Sequence, residues 1–179
     1  EIPDADNAAL VYESVVLQLK SEKVGDQSLL DKLASLAEEN LEENSSEQVR
    51  KEFWELSQTK TASDALDDLQ KGTAKPGCRF GIDYSKGFEM EFRPFGELMK
   101  LSDILCAYAR GQAEDGNETA SWDAAISALR LADALRDEPL LISQLVRSTQ
   151  FSEAVEAIQG LTKNSLPTKP QFEHLDRSL

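Results

Sequence analysis

Residues 93–160 read RPFGELMKLSDILCAYARGQAEDGNETASWDAAISALRLADALRDEPLLISQLVRSTQFSEAVEAIQG, and the spacing of their apolar residues decides the fold. Pro94 suits the first turn of a helix, because its φ is fixed and it lacks the N–H that a first turn leaves unpaired. Apolar residues then recur every three or four positions, as on one face of an amphipathic helix. They are Leu98, Leu101, Leu105, Tyr108 and Ala109. We predict a helix over about 95–113, with Asp103 and Arg110 on its polar face.

A second helix follows the short polar turn of residues 114–117. Its apolar face begins at Trp122, and the pattern continues over about 118–136. A short connection makes two helices antiparallel neighbours, so Trp122 is expected to be buried between them. The order of helix, glycine-containing turn, Trp-Asp-Ala-Ala and helix resembles a single tetratricopeptide (TPR) unit, over this one helical pair.

The remainder of the chain also predicts helices. A third one is expected to open at Asp137-Glu138-Pro139 and to end at Gly160, because acidic residues and proline suit a helix start and glycine suits its end. We predict one all-α domain over 1–179, with roughly six to eight helices paired as antiparallel hairpins in a bundle or in a short, right-handed, TPR-like array. Its parts are a helical section 4–72, a loop 73–93, a TPR-like helical section 94–160, and a linker with a short terminal helix, 161–179.

The chain is strongly acidic: 33 Asp and Glu against 19 Lys and Arg give a net charge of −14. This balance argues against nucleic acid as a partner, since phosphates are neutralised by basic side chains, and against anionic membrane surfaces. No apolar run reaches the roughly 20 residues that a transmembrane helix needs. A protein or peptide partner is compatible with the charge. Because the chain begins at Glu1 rather than at Met, we interpret it as a processed or truncated product.

Residue types that commonly carry catalysis or bind metals are scarce. His174 is the single histidine, which argues against a Ser-His-Asp triad and a histidine-rich metal site. The sequence has no glycine-rich phosphate loop and no paired-cysteine zinc spacing. We therefore assign no catalytic, cofactor-binding or metal-binding residue. Cys78 and Cys106 are expected to be free thiols, and a bridge between them is the alternative if the protein is exported.

The segment 78–87 has no helical period, but its apolar residues alternate. They are Phe80, Ile82 and Tyr84. An extended backbone would point all three side chains to one side. We expect them to cover apolar surface near the start of the third helix, at Leu141 and Leu145.

This placement would bring charged residues of the same segment to the third helix. Arg79 and Asp83 would lie beside Gln144 or Arg147, and buried charges at that position would require partners. Asp83 is then expected to be a structural anchor that pairs with Arg79 or Arg147. A ligand could use the same cluster if one charge stayed unpaired at the surface.

Two segments together resemble a known family: CRFGIDYSKG at 78–87 and DEPLLISQLVR at 137–147. They are similar to an uncharacterised family of exported, all-helical, TPR-like proteins of planctomycete-type bacteria. With the helical pair between them, the resemblance covers about 78–158. It implies the fold and export, and it implies no activity. It also draws attention to five residues as a candidate ligand or anchor cluster: Arg79, Asp83, Tyr84, Gln144 and Arg147.

These observations favour a non-enzymatic, helical protein-interaction or scaffold domain, since paired helices commonly offer a concave face to peptides or proteins. An alternative is a carboxylate-dependent hydrolase of unknown substrate. A third possibility is an exported structural protein that binds no small molecule. A deep pocket lined by converging acidic, arginine or tyrosine side chains would favour the enzyme, and a shallow apolar groove would favour the interaction domain.

Overall fold

The computed structural model describes residues 2–42, 44–83, 85 and 93–178. These residues form a short 3₁₀ turn at Asp4–Asp6, a two-stranded hairpin and eight α-helices, so the predicted all-α class is confirmed. The hairpin pairs β1 (Lys23–Val24) with β2 (Gln27–Ser28). The helices are α1 (Ala8–Ser21), α2 (Leu29–Leu41), α3 (Glu47–Ser57), α4 (Lys60–Thr73), α5 (Arg93–Glu114), α6 (Glu118–Asp133), α7 (Leu141–Thr162) and α8 (Lys169–Ser178).

Side-chain caps begin three of the early helices. The Asn7 side chain accepts a hydrogen bond from the backbone N–H of Ala9. Ser28 accepts one from Asp31 at 3.1 Å, and Ser46 caps α3 in the same way. Each cap satisfies a backbone N–H that has no partner within its helix.

The predicted hairpin of α5 and α6 is present. Three residues connect the helices, and Gly116 adopts φ +81° there, a left-handed conformation that favours glycine. The Ser121 hydroxyl donates to the backbone oxygen of Ala109 at 2.8 Å, which joins the start of α6 to the later half of α5. Trp122 is only 1% exposed, so its predicted burial is confirmed.

One large apolar core holds the helices together. It contains buried residues from each of α1 to α7, together with Phe80. α7 packs on both α5 and α6, and α2 packs on α5. A smaller cluster lies beside this core, around Trp122, Ala125 and Leu161. In the described residues, no helix is long and apolar enough to cross a membrane.

The N-terminus of α1 is tied to the chain that follows α4, through a set of bonds that we call the Asn7 clasp. The Asn7 side chain donates to the backbone oxygen of Arg79 at 3.1 Å and accepts from the backbone N–H of Arg79 at 2.9 Å. The backbone of Ala8 donates to the oxygen of Gly77 at 2.8 Å. The clasp therefore holds the first part of the segment 78–87 against α1.

The predicted start of the third helix is wrong by a few residues. α7 begins at Leu141 rather than at Asp137-Glu138-Pro139, and Leu140 is still extended, with φ −87° and ψ 140°. A residue before proline is sterically disfavoured in the helical region, so Glu138 breaks the helix instead of opening it. α7 also continues to Thr162, beyond the predicted end at Gly160.

Candidate interaction surface at the start of α7

The first turns of α7 expose three large apolar side chains. Leu141 is 78% exposed, Ile142 42% and Leu145 56%. Single exposed apolar residues are common on protein surfaces, but contiguous ones mark interaction sites. We call these three residues the α7 ridge. The expectation that segment 78–87 would cover Leu141 and Leu145 is wrong, since both remain exposed.

Gln144 fixes the ridge to the chain before it. Its side-chain amide donates to the backbone oxygens of Leu135 at 3.0 Å, Arg136 at 3.3 Å and Glu138 at 2.7 Å. The buried Ser143 hydroxyl lies 2.6 Å from the oxygen of Leu140. These bonds use the carbonyl groups of the connection between α6 and α7, so the first turn of α7 is held in place.

Arg147 adds an ionic link on the next turn. Its guanidinium donates to the Asp133 carboxylate at 3.1 Å, and Arg136 donates to the same oxygen at 2.8 Å. Asp133 is the last residue of α6, so the ion pair between Arg147 and Asp133 joins α6 to α7 near the α7 ridge. Gln144 and Arg147, two of the five predicted cluster residues, therefore act in the structure as anchors of the ridge.

The other predicted residues lie in the segment 78–87. Phe80 is buried and Ile82 packs against the core, which agrees with the predicted alternation. Arg79 and Asp83 are exposed, so the expectation of buried charges is wrong. The Asp83 carboxylate accepts from both the N–H and the hydroxyl of Ser85, at 3.1 and 2.6 Å.

Tyr84, the fifth predicted residue, lies outside the described residues. The use of the cluster by a ligand and the pairing of Asp83 with Arg79 or Arg147 stay predictions.

A second feature is a cavity of about 490 Å³ between α2, α5 and α7. Its wall combines apolar side chains with acidic and basic ones. Among them are Leu41, Cys106, Arg110, Glu153, Glu156 and Leu161. Arg110 is held by the backbone oxygen of Asn40 at 2.7 Å and by Glu114 at 3.3 Å.

Glu153 lines this cavity, and it is the acidic group that acts most strongly on Asp103 of α5. Burial, the charge of Glu153 and the hydrogen bond with it raise the pKa of Asp103 to about 7. Burial also raises the pKa of Glu153, although the bond with Asp103 acts in the opposite direction. Two carboxyl groups form a hydrogen bond only when one of them carries a proton, because an ionised carboxylate is purely an acceptor.

The sequence pattern placed Asp103 and Ala107 on the polar face of α5, and in the structure Asp103 is only partly exposed. Ala107, on the same predicted face, is fully buried, because α5 is covered by neighbouring helices on several sides. The available signal was the run of small residues around Cys106, which permits close helix packing. It does not identify the acidic partner, which lies fifty residues further along the chain.

Both cysteines are free thiols, as predicted. Burial, with a smaller effect from the charge of Glu138, raises the pKa of Cys78 to about 12. Burial and the nearby carboxylates raise the pKa of Cys106 as well. Neither thiol is therefore an activated nucleophile at neutral pH. No group of three or more acidic, histidine or cysteine side chains in the described ranges is placed to bind a metal ion.

No protein-family profile, curated protein or solved structure matches the chain.

Proposed function

We propose that this protein is a non-enzymatic binding domain that inserts the α7 ridge into an apolar groove of a partner protein. The observation that carries the proposal is the joint exposure of Leu141, Ile142 and Leu145 on consecutive turns of one helix. Helices that bind in grooves use apolar anchors three or four positions apart, which is the spacing of Leu145 from Ile142 and from Leu141.

The anchoring of the ridge supports this role. Gln144 and Arg147 hold the first turns of α7, so little conformational freedom would be lost on binding. Pre-organisation of this kind improves affinity. Burying one large aliphatic side chain contributes about 1.5–3 kcal/mol. Three such side chains are therefore enough to form the centre of a binding site.

Site-specific cross-linking in the cells that produce the protein tests the proposal. A photoreactive phenylalanine analogue replaces Ile142, and in a matched control it replaces Leu166, which is 80% exposed in the connection between α7 and α8. We expect a defined partner protein to be linked at position 142 and not at 166. Adding Leu141→Ser and Leu145→Ser should reduce that linkage roughly tenfold or more, as expected for central contacts.

Two outcomes would count against the proposal: equal cross-linking from both positions, or unchanged linkage in the double-serine variant. Circular dichroism of that variant should match the unmodified protein, since substitutions of exposed side chains change stability little.

A second candidate function is a carboxylate-dependent hydrolase, and the observation that favours it is that Glu153, the acidic neighbour of Asp103, lines a cavity. Carboxyl groups within hydrogen-bonding distance are much closer than the roughly 5–9.5 Å found in glycosidases. They correspond better to a pair that shares one proton, as in aspartic proteases. If the protein hydrolyses a peptide substrate and Asp103→Asn abolishes this activity, the result would support the hydrolase function.

Export and a TPR-like arrangement are also part of the proposal. Export rests on the resemblance of 78–87 and 137–147 to exported helical proteins, and the TPR-like arrangement rests mainly on the order of helix, glycine-containing turn, Trp-Asp-Ala-Ala and helix. Fractionation of the producing cells tests the first. An experimental structure in which α5, α6 and α7 stack with a constant right-handed rotation would support the second.

A further inference from the structure

A cavity of about 430 Å³ lies beside the Asn7 clasp, where the start of α1 meets the ends of α4 and α6. Its wall includes Ala8 and Tyr12 from α1, and Gly77 and Cys78 from the chain that follows α4. It shares no lining residue with the cavity between α2, α5 and α7. Small-molecule sites in proteins have volumes of about 300–1,000 Å³, so this cavity is large enough for a ligand.

The Tyr12 hydroxyl is an unusual polar group in this wall. The side chain lines the cavity and is only 3% exposed. Among the described residues, none forms a hydrogen bond with its hydroxyl. Buried hydroxyl groups normally have a hydrogen-bond partner, and one that lacks a partner lowers stability. At the edge of a cavity, a bound molecule would supply the partner that the fold does not.

The Tyr12 hydroxyl is available as a donor at neutral pH. Burial, with a smaller effect from Cys78, raises the pKa of Tyr12, whereas the charge of Arg130 acts in the opposite direction. Cys78 and Arg130 also line the cavity, so the hydroxyl end of the ring faces the wall that they form. A protonated phenol near a guanidinium offers a hydrogen-bond donor and a positive charge to the same ligand group.

The charged residues of the wall favour an anion. Three basic and two acidic residues line the cavity: Lys75, Arg130, Arg136, Asp133 and Asp137. Asp133 accepts from Arg136 at 2.8 Å and from Arg147 at 3.1 Å, so its charge is compensated within the protein. Arg130 is held at the wall by His174, with 2.7 Å between Nη2 and Nδ1. In a chain with a net charge of −14, a cavity with more basic than acidic residues is a local exception.

We propose that this cavity binds a small molecule through an oxyanion group, a carboxylate or a phosphate, which accepts a hydrogen bond from Tyr12 and pairs with Arg130. The planar guanidinium group matches the oxygen atoms of both kinds of anion. Lys75 and Arg136 add positive charge to the wall. The inference goes beyond the proposed function and holds whether or not the α7 ridge binds a partner.

Titration of the ¹⁵N-labelled protein with small anions, followed by NMR, tests the inference. The probes are inorganic phosphate and succinate, each compared with sodium chloride at equal ionic strength, because a chain of this charge also responds to salt in general. We expect at least one probe to bind at a single site with a Kd below about 10 mM. It should shift the amide signals of Gly77, Cys78 and Arg130 and leave those of α3 unchanged. Binding of phosphate alone supports a phosphate ligand, and binding of succinate alone supports a carboxylate ligand.

Tyr12→Phe removes only the hydroxyl and should weaken probe binding about tenfold or more, as expected for a lost hydrogen bond to a charged group. Its stability in probe-free buffer should not fall, because the fold gives this hydroxyl no partner. Tyr108→Phe is the matched control, since the Tyr108 hydroxyl accepts from Gln112 at 2.6 Å and does not line the cavity. It should lower stability and leave probe binding unchanged. Arg130→Gln should weaken probe binding about tenfold or more.

The inference is overturned if neither probe has an effect beyond that of sodium chloride. It is also overturned if Tyr12→Phe or Arg130→Gln binds the probe as tightly as the unmodified protein does. A Tyr12→Phe variant that unfolds at lower urea concentration in probe-free buffer would count against it too, because its hydroxyl would then have a partner within the fold.

Discussion

Gly111 is required by a close contact with Trp54. A β-carbon at position 111 would lie 2.5 Å from Cε3 of the Trp54 ring, well inside any real contact distance. That ring is also stacked on Tyr108, with centroids 5.7 Å apart and planes at 26°. The indole of α3 therefore rests directly on the backbone of α5. Glycine has a low helix propensity, but at position 111 it allows α3 and α5 to pack closely.

We predict that Gly111→Ala destabilises the protein by about 1–3 kcal/mol, the usual cost of overpacking a well-packed site. The direction is informative, because glycine-to-alanine in an open helix position stabilises by up to about 1 kcal/mol. Gly160→Ala is the matched control: a β-carbon at position 160 of α7 meets nothing within 4 Å. Urea unfolding measures both variants, and a stabilised Gly111→Ala would show that Trp54 does not contact α5 in this way.

Trp122 connects the α5–α6 hairpin to the end of α7. Its indole N–H donates to the Ser165 hydroxyl at 3.0 Å, and its ring packs with Ala109 and Leu161. Trp122→Ala should therefore lower the free energy of unfolding by roughly 3–5 kcal/mol. Phe172→Ala, which truncates an aromatic residue of α8 that is 62% exposed, should change it by less than about 1 kcal/mol. Equal effects of the two truncations would contradict this placement.

The sequence predicted helices best where one face is apolar and where capping or turn residues mark both ends. α5 and α6 satisfy both conditions, and the polar connection around Gly116 fixes their antiparallel packing. α7 satisfies neither, since buried Ser143 and Gln150 interrupt its apolar face and Pro139 precedes its start. Hydrogen bonds from Gln144 to the preceding carbonyl groups also hold its first turn, and the spacing of apolar residues does not indicate such bonds.

The candidate surface was less predictable than the fold. Gln144 and Arg147 were both predicted as cluster residues, but the sequence did not indicate that Gln144 bonds to carbonyl groups of the α6–α7 connection or that Arg147 pairs with Asp133 at the end of α6. The exposure of Leu141 and the pairing of Asp103 with Glu153 depend on which helix covers which. Both depend on tertiary packing. The local sequence pattern around an apolar helix residue is the same whether or not a neighbouring helix covers it.

For the whole molecule, charge is the dominant global property. The described ion pairs are largely exposed, and pairs of that kind contribute about 0–1 kcal/mol each. The excess of 14 negative charges repels itself in the folded state, and dissolved salt screens this repulsion. Salt also weakens the exposed ion pairs, but we expect its screening of the net repulsion to have the larger effect on stability.

We therefore predict that raising NaCl from about 10 to 150 mM at pH 7.5 increases the melting temperature by about 2–4 °C, which corresponds to about 1 kcal/mol for a domain of this size. Near the sequence isoelectric point of 4.5 the net charge vanishes, so the same addition should give no increase. Differential scanning calorimetry measures both conditions. A decrease at pH 7.5 would show that attractive pairs outweigh the net repulsion.

The Asn7 clasp has a consequence for the timing of synthesis. Asn7 accepts hydrogen bonds from Ala9, two residues away, and from Arg79, which is 72 residues away. A ribosome adds roughly 5–20 residues per second, so about 4–15 s separate the emergence of the two donors. For that interval the nascent α1 has its own cap but lacks the clasp. The helix α1 is thus made several seconds before the clasp can secure it, and a chaperone can meet it in that interval.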